Sequence, residues 1–585
     1  MTANPYHTQP LRIASGIACA LLFAVATSPP SVDAVRLDQA GELRFGMRSY
    51  VGTRIGTEDT DRSVNAQGQV TSETFPFSAA GHVRQNRYYV EAELDHNLSR
   101  LYAEGWGPLE LLKYLPFHIN GLKYHLTFRG EADTLYDWGP REYSTAEQFK
   151  TLPANPVTGE PLNVLAARRH LRKLGTDRER LFQAYVEASV GRLFARLGRQ
   201  VWSWGETDGF RLLDQINPLD SSFGGFLVSL DERRVPLDML RLEYRVGELG
   251  PLSEMGVQGY AAIDNKVGFA PGIPQGSPWT PPNVGAPRAG SRAIQITPRR
   301  TFNDVRGGAR LVWNMLDATW SIGHYYTYFD LAAVQIELPP GLPTVPFPDG
   351  SAVHGIATAP RVQVSGGTTS FEIPQLSTVV RSELAYFRDE PRYLQSQLDP
   401  LIFLFHNRKL TGGRRTGDSI NYVLGLDARQ YIRFLNPNQT FFISTQFFYK
   451  HLRHAVRRGE PGQFPTSPGV VEGEVLPVPE KFVPNPLAAS LGGLEPSFSR
   501  QPTDQFLHTL AVATSYRSGT INPVLTIFYD WGGAFLYQPA VTFLRDPWRF
   551  TVSYSILDAG RLKAGSGVSF FRDRDNVLFQ LEYAI

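Results

Sequence analysis

The chain has one cysteine, Cys19, in 585 residues, so no disulfide can staple the fold and backbone pairing and packing must hold it. Charge of one sign is also missing. With 58 Lys and Arg against 56 Asp and Glu the net charge is +2, which gives nucleic acid no basic face to bind. No apolar run reaches the roughly 18 residues that a spanning helix needs. There is no Gly-x-Ser-x-Gly elbow, no phosphate-cradling glycine loop and no paired-cysteine zinc spacing. The twelve histidines show no metal-ligand pattern; His125, His451 and His454 read as polar lining or rim residues. No cofactor, metal or catalytic residue is expected.

Aromatic residues are plentiful, 12% of the chain with 36 Phe, 25 Tyr and 9 Trp, although the mean hydropathy is only -0.22. That pairing suits an apolar exterior around a polar interior. Residues 1–34 read as a cleaved secretory signal: a polar start ending at Arg12, an uncharged run from Ile13 to Ala26, and small residues around Ala34. The exported remainder, 35–585, must then insert into a membrane by strands if it inserts at all, and strands span lipid only as a closed barrel.

Segments of about ten residues with period-two alternation recur throughout. In Gln85 to Asp95, Tyr88, Val90, Ala92 and Leu94 oppose Arg87, Tyr89, Glu91, Glu93 and Asp95. In Leu122 to Asp133, Leu122, Tyr124, Leu126 and Phe128 oppose Lys123, His125, Arg129, Glu131 and Asp133. The remaining segments are 42–52, 180–190, 193–202, 240–247, 255–264, 306–314, 319–330, 376–387, 422–434, 441–450, 507–517, 521–530, 549–557, 561–571 and 576–585. Short turns such as Arg517-Ser518-Gly519-Thr520 and Arg572-Asp573-Arg574-Asp575 make antiparallel hairpins of them. The count is about fifteen to seventeen, and an even number is required of a single-chain bacterial barrel, which predicts an all-β transmembrane antiparallel barrel of about 16 strands. The last segment alternates up to Ile585 and is similar to the terminal strand that such barrels present to the assembly machinery, with Ile in place of the usual Phe.

Three Pro- and Gly-rich stretches, Gly268 to Arg299, Glu337 to Pro360 and Gly459 to Pro502, are too long for hairpin turns and read as long loops. Leu98 to Leu115 and Leu162 to Leu174 read as helical. The second carries Arg168, Arg169, Arg172 and Lys173, a solvated face or a contact for lipopolysaccharide or an anionic solute.

Inward phases carry both signs: Arg87, Glu91, Glu93, Asp95, Lys123, Arg129, Glu131, Asp133, Arg381, Glu383, Asp427, Arg429 and Arg433, with His125 among them. A pore for simple ions would lean to one sign. Mixed charge predicts cross-lumen pairing, or a zwitterionic, polar or bulky solute.

The stretch Arg196 to Asp220 begins as a strand and ends in a polar, turn-rich segment with Trp202, Trp204, Glu206, Asn217 and Pro218. It is too polar for lipid and must lie at the mouth or inside, so Arg196, Arg199, Gln200, Trp204, Glu206, Asn217 and Asp220 are the candidate pore-lining or constriction residues. Arg199 falls in the outward phase. Either a bulge at Gly198 re-aims it into the lumen, or it lies beyond the hydrocarbon.

Gly198-Arg199-Gln200, Trp204-Gly205-Glu206 and Ile216-Asn217-Pro218-Leu219-Asp220 together resemble the central signature of a proteobacterial outer-membrane barrel family, domain of unknown function thirteen-oh-two. The resemblance implies a barrel of this size in the outer membrane of a Gram-negative bacterium, suspected of moving hydrophobic or bulky molecules, sometimes alongside inner-membrane exporters. It carries over no catalytic or binding residue. The expected function is passage of polar-bulky or hydrophobic solutes by diffusion. The rivals are a non-conducting structural or adhesive barrel with partner-binding loops and an outer-membrane lipid hydrolase. Expected partners are outer-membrane lipid and lipopolysaccharide, the barrel-assembly machinery, and periplasmic or inner-membrane transport components.

Overall fold

Period-two alternation gives each strand one polar and one apolar face, and a sheet built of such strands is left without a free edge only by closing on itself. The computed structural model describes residues 34–59, 80–134, 181–220, 227–268, 291–330, 333–337, 353–392, 409–410, 415–453, 504–531, 533–558 and 574–585. In it, eighteen antiparallel strands close into one ring. They are β1 (Leu43–Gly56), β2 (Val83–Asn97), β3 (Gly121–Asp133), β4 (Leu181–Val190), β5 (Leu193–Gln200), β6 (Leu237–Leu249), β7 (Leu252–Ala262), β8 (Arg306–Met315), β9 (Ala318–Tyr328), β10 (Arg361–Ile373), β11 (Thr378–Arg392), β12 (Arg415–Gln430), β13 (Phe441–Leu452), β14 (Asp504–Ala513), β15 (Ile521–Asp530), β16 (Phe535–Arg545), β17 (Trp548–Asp558) and β18 (Asn576–Ala584). Each pairs with the next, and β18 closes on β1 with Arg48 opposite Ala584 and Gly56 opposite Asn576. Val35–Arg36 adds a short extra pairing to β1.

The count corrects the expected sixteen. Sixteen of the predicted segments become strands, 561–571 lies outside the described residues, and β10 and β16 are additional. Each of these two breaks the pattern that reveals a strand. On β10 the outward residues Gln363, Ser365, Gly367 and Thr369 are polar or small while Val362 and Val364 are buried inside. On β16 Pro539 interrupts the ladder, and the pairing with β17 lapses between Tyr537 and Ala540, because proline has no N–H to donate.

The connections divide into two ends. At one, turns are as short as Gly191-Arg192, Gly250-Pro251 and Leu316-Asp317; at the other, every link except 531–534 is long. Two of the expected long loops carry strand pairing instead of being irregular throughout. Ser291–Ile296 pairs in parallel with Val353–Thr358, which pairs with Ala333–Glu337 and through it with Lys409–Leu410. The stretch 459–502 and the predicted helix 162–174 lie outside the described residues. Leu98 to Leu115 is helical as expected, α1 (Ser99–Glu104) followed by a 3-10 turn, Gly107–Tyr114.

The outer face of the ring is apolar at mid-strand: Leu197 is 64% exposed, Leu384 53% and Val186 48%. Aromatics stand on it toward both ends, Trp548, Tyr244 and Phe371 on the short-turn side, Tyr326, Tyr529 and Trp531 on the long-loop side. The core lies inside the ring, where one connection has folded back into the lumen.

Candidate functional site

That connection joins β5 to β6. Two strands that end side by side need only a short turn, so a thirty-six-residue link, 201–236, has length to spare, and its Trp202, Trp204, Phe210, Leu212, Leu213 and Ile216 need an apolar environment. They find it within the barrel. Ile216 has no exposed surface, and these side chains form one cluster with inward residues of the wall, among them Tyr260, Tyr325, Val362, Val364, Phe387, Val423, Phe448 and Phe528. Trp204 meets Trp202, Tyr260 and Tyr325 edge to face at 5.2–5.5 Å, and Phe210 meets Phe448 and Phe528 at 6.1 and 4.8 Å.

An irregular segment inside a barrel must also find partners for its own amides and carbonyls, and inward polar residues of the wall supply them. Glu383 accepts from the backbone N–H of Leu213 at 3.1 Å and from that of Glu206. Tyr325 donates its hydroxyl to Leu213 O at 2.6 Å, Thr327 donates to Gln215 O at 3.1 Å, and Arg310 donates to Trp204 O at 3.0 Å. Arg381 pairs with Asp208 and with Asp427, both at 2.6 Å, and donates to Glu206 O. Burial pushes the Asp208 and Glu206 carboxyls up, against the pull of Arg381 on both.

Asn217 closes the base of the insert. Its Oδ1 accepts from Trp202 N at 2.8 Å, and its Nδ2 donates to Gln200 O and Val235 O at 3.3 and 3.0 Å, so one fully buried amide ties entry to exit. Asp220 N donates to Arg233 O at 2.7 Å, continuing that closure. Arg234 holds Asp214 at 2.6 Å, and Arg211 pairs with Asp330.

The exit arm then reaches a different part of the wall. The single helical turn α2 (Leu230–Arg233) is capped by Ser229, whose hydroxyl accepts from Glu232 N. It delivers Glu232 to β1 and β2, where Arg48 and Arg87 each pair with the carboxylate at 2.9 Å and Tyr50 donates to it at 2.7 Å. Arg129 of β3 donates to Glu232 O at 3.1 Å. Burial would push the Glu232 carboxyl up, but Arg87 and Arg48, helped by the Tyr50 hydroxyl, hold it at about 2. The insert thus holds β7 to β15 with one arm and β1 to β3 with the other.

The candidate residues separate by this geometry. Trp204, Glu206 and Asn217 lie in the insert, Asp220 at its edge, and Gln200 is fully buried at the end of β5. Arg196 faces inward, paired with Glu187 at 2.5 Å and set over the Tyr185 ring at 4.2 Å; on the same side Arg241 lies 4.4 Å from the Trp202 ring. Arg199 is corrected: it does not face the lumen. The β4–β5 register runs unbroken through Tyr185–Gly198 and Ala184–Arg199, so there is no bulge, and Arg199 stays in phase with Leu197 and pairs with Asp238 at 3.2 Å. Gly198 instead allows a close approach, because with φ +130° a Cβ there would stand 2.3 Å from Ala184 O.

Inward charges are paired across neighbouring strands: Arg87 with Glu131 and Arg129 with Glu91, both at 2.5 Å, and His125 with Asp95 at 2.7 Å. Lys123 and Arg429 are exposed near the short-turn end. Arg433 is a second correction, since β12 stops at Gln430 and Arg433 lies in the following turn. His451 is at the rim beside Asp504, and His454 lies outside the described residues. Among the described residues no group of His, Cys, Asp and Glu is placed to hold a metal.

Sequence reasoning missed Glu232, Asp208, Asp214, Arg48 and Arg310. The run Asp231-Glu232-Arg233-Arg234 was a usable signal, since four charges just before a strand of known phase have to be placed somewhere.

Comparison with solved structures gives low-similarity matches that span nearly the whole chain. OccAB4 of Acinetobacter baumannii has a TM-score of 0.38 at 8% identity, covering 92% of this chain and 98% of its own. OccK5 (OpdH) of Pseudomonas aeruginosa has 0.37 at 8%, with the same coverage, and Salmonella typhi OmpF in complex with daunomycin has 0.34 at 8%, covering 93% and 98%. Comparison with curated proteins returns no significant match. The model of one family, described as protein of unknown function (DUF1302), matches residues 15–585, and the chain belongs to that family.

Proposed function

For this DUF1302 barrel we propose an outer-membrane channel whose 201–236 insert constricts the lumen and sets what passes by diffusion. Support for the membrane comes from the outer face: an apolar mid-band between two aromatic zones is what hydrocarbon and its two interfaces select. Bacterial barrels put short turns in the periplasm and long loops outside, so the insert enters from the cell exterior. Arg199, toward the long-loop side of Leu197, keeps its charge paired with Asp238.

The observation that carries the constriction is the two-armed anchorage of the insert, through Arg381 and Glu383 on one part of the wall and through Arg48 and Arg87 on another. Eighteen strands enclose a lumen wide enough for an aqueous path. An aromatic cluster anchored within it narrows that path and lines it with rings and paired charges. Such a lining gives no single-signed potential to sort simple ions and suits polar-bulky or hydrophobic solutes. The polar groups around the insert hold its backbone, which is a structural task.

Reconstituted protein should conduct in a planar bilayer, and Arg196→Ala and Glu206→Ala should change conductance or selectivity. A silent bilayer, with binding of cells or lipopolysaccharide through the long loops, would favour the adhesive barrel instead.

A further inference from the structure

Among the links at the short-turn end, the one between β2 and β3 stands apart. Where the other links at this end run from two residues to ten, residues 98–120 form α1 and a 3-10 turn, joined at Gly105, whose φ of +76° lets the chain reverse as its N–H and that of Trp106 bond back to Tyr102 O and Leu101 O.

One face of this connector has an evident partner. Tyr102, Leu109 and Leu112 cover Leu122 of β3 and Ala188 and Val190 of β4, which are in the outward phase of Val186. The connector is therefore seated on the outside of the barrel wall, below the apolar band. Its other face is bare: Trp106 is 64% exposed, Leu111 69%, Tyr114 81% and Phe117 46%. Four large apolar side chains on a surface of this size are costly in water, and two are Trp and Tyr, the residues favoured where hydrocarbon meets headgroups.

We propose that residues 98–117 are an interfacial anchor embedded in the phospholipid of the periplasmic leaflet, which the bare face contacts at the boundary of headgroups and acyl chains. The occupant follows from continuity. The covered face lies on the lipid-facing wall, so the uncovered one meets the same lipid one layer out, at the depth of about 5–10 Å at which amphipathic segments settle. Exposed Glu104, Glu110 and Lys113 leave polar groups for the aqueous side. The inference rests on the membrane reading above.

Fluorophores on single cysteines at Leu111→Cys, Tyr114→Cys and, as a mid-wall control, Val186→Cys, in a Cys19→Ser background, test it in phosphatidylcholine vesicles. The anchor predicts that labels at 111 and 114 are quenched more strongly by lipid bearing its nitroxide near the headgroup than by lipid bearing it deep in the chain, and little by aqueous iodide. The label at 186 should show the opposite depth order. Strong iodide quenching at 111 and 114 with lipid quenching kept at 186 overturns the anchor and leaves the barrel standing. Loss of lipid quenching at 186 overturns both.

Discussion

Removing one carboxylate, Glu232→Gln, should free one arm of the insert. In the native protein Glu232 is buried between Arg48 and Arg87, each at 2.9 Å, with the Tyr50 hydroxyl at 2.7 Å. Breaking a buried pair by deleting one partner costs about 3–5 kcal/mol, and the Arg87 and Arg48 guanidiniums hold the carboxyl well below its ordinary value, which has the same sign. The glutamine keeps an acceptor for Tyr50, and Arg48 and Arg87 keep Glu582 and Glu131, so about 2–3 kcal/mol remains, or roughly a hundredfold in the docked population at 1.4 kcal/mol per tenfold. Hydrogen exchange reads this, because local opening sets the exchange rate. The amides of Asp220 and Val235, which bond to Arg233 O and Pro218 O, should exchange roughly a hundredfold faster, while wall amides around Arg381 and Tyr325 keep their protection. Unchanged exchange at Asp220 and Val235 would refute the exit arm as an anchor.

The opposite arm should respond to Arg381→Gln, which leaves Asp208 and Asp427 buried without their shared guanidinium; amides of 206–213 should exchange faster, and noisier single-channel currents are expected. On the outer face the two phase neighbours should differ sharply. Leu197→Arg should cost about 2–4 kcal/mol in denaturant unfolding from a bilayer, whereas Arg199→Leu, which removes a partly exposed pair with Asp238, should cost less than about 1 kcal/mol. Acidification should have a defined sign. Glu232, depressed from 4.5 to about 2, stabilises docking fully above its ordinary value and loses that contribution as pH falls toward about 2. Glu206 and Asp208, raised by burial, favour docking more as they take up protons. Conductance should therefore show no insert release between pH 8 and 5 and a rise below pH 4 that Glu232→Gln abolishes.

Much of the fold was legible in the sequence because a barrel strand with one face inward and one outward must alternate, and sixteen strands did. β10 hid because Gln363, Ser365, Gly367 and Thr369 put small polar groups on the outside while Val362 and Val364 pack on the insert, reversing the expected sense. The insert itself was half legible. Trp204, Glu206 and Asn217 were recognisable as too polar for lipid, which left the mouth and the interior open. Their partners were not, because Glu232 meets Arg48 across 184 residues and Arg381 meets Asp208 across 173, and only closure of the ring sets those separations. Arg199 shows the limit of spacing: Gly198 next to it suggested a bulge, whereas the glycine accommodates the Ala184 carbonyl with the register intact.

The central claim is that the insert sits in the lumen and restricts it. Replacing 203–215 with a short Gly-Ser linker keeps β5, β6 and the Glu232 arm while removing the aromatic cluster and the contacts to Arg381 and Glu383. Single-channel conductance in a planar bilayer should rise severalfold over the native protein, toward that of an open barrel of eighteen strands. A correctly folded deletion variant with native conductance would contradict it.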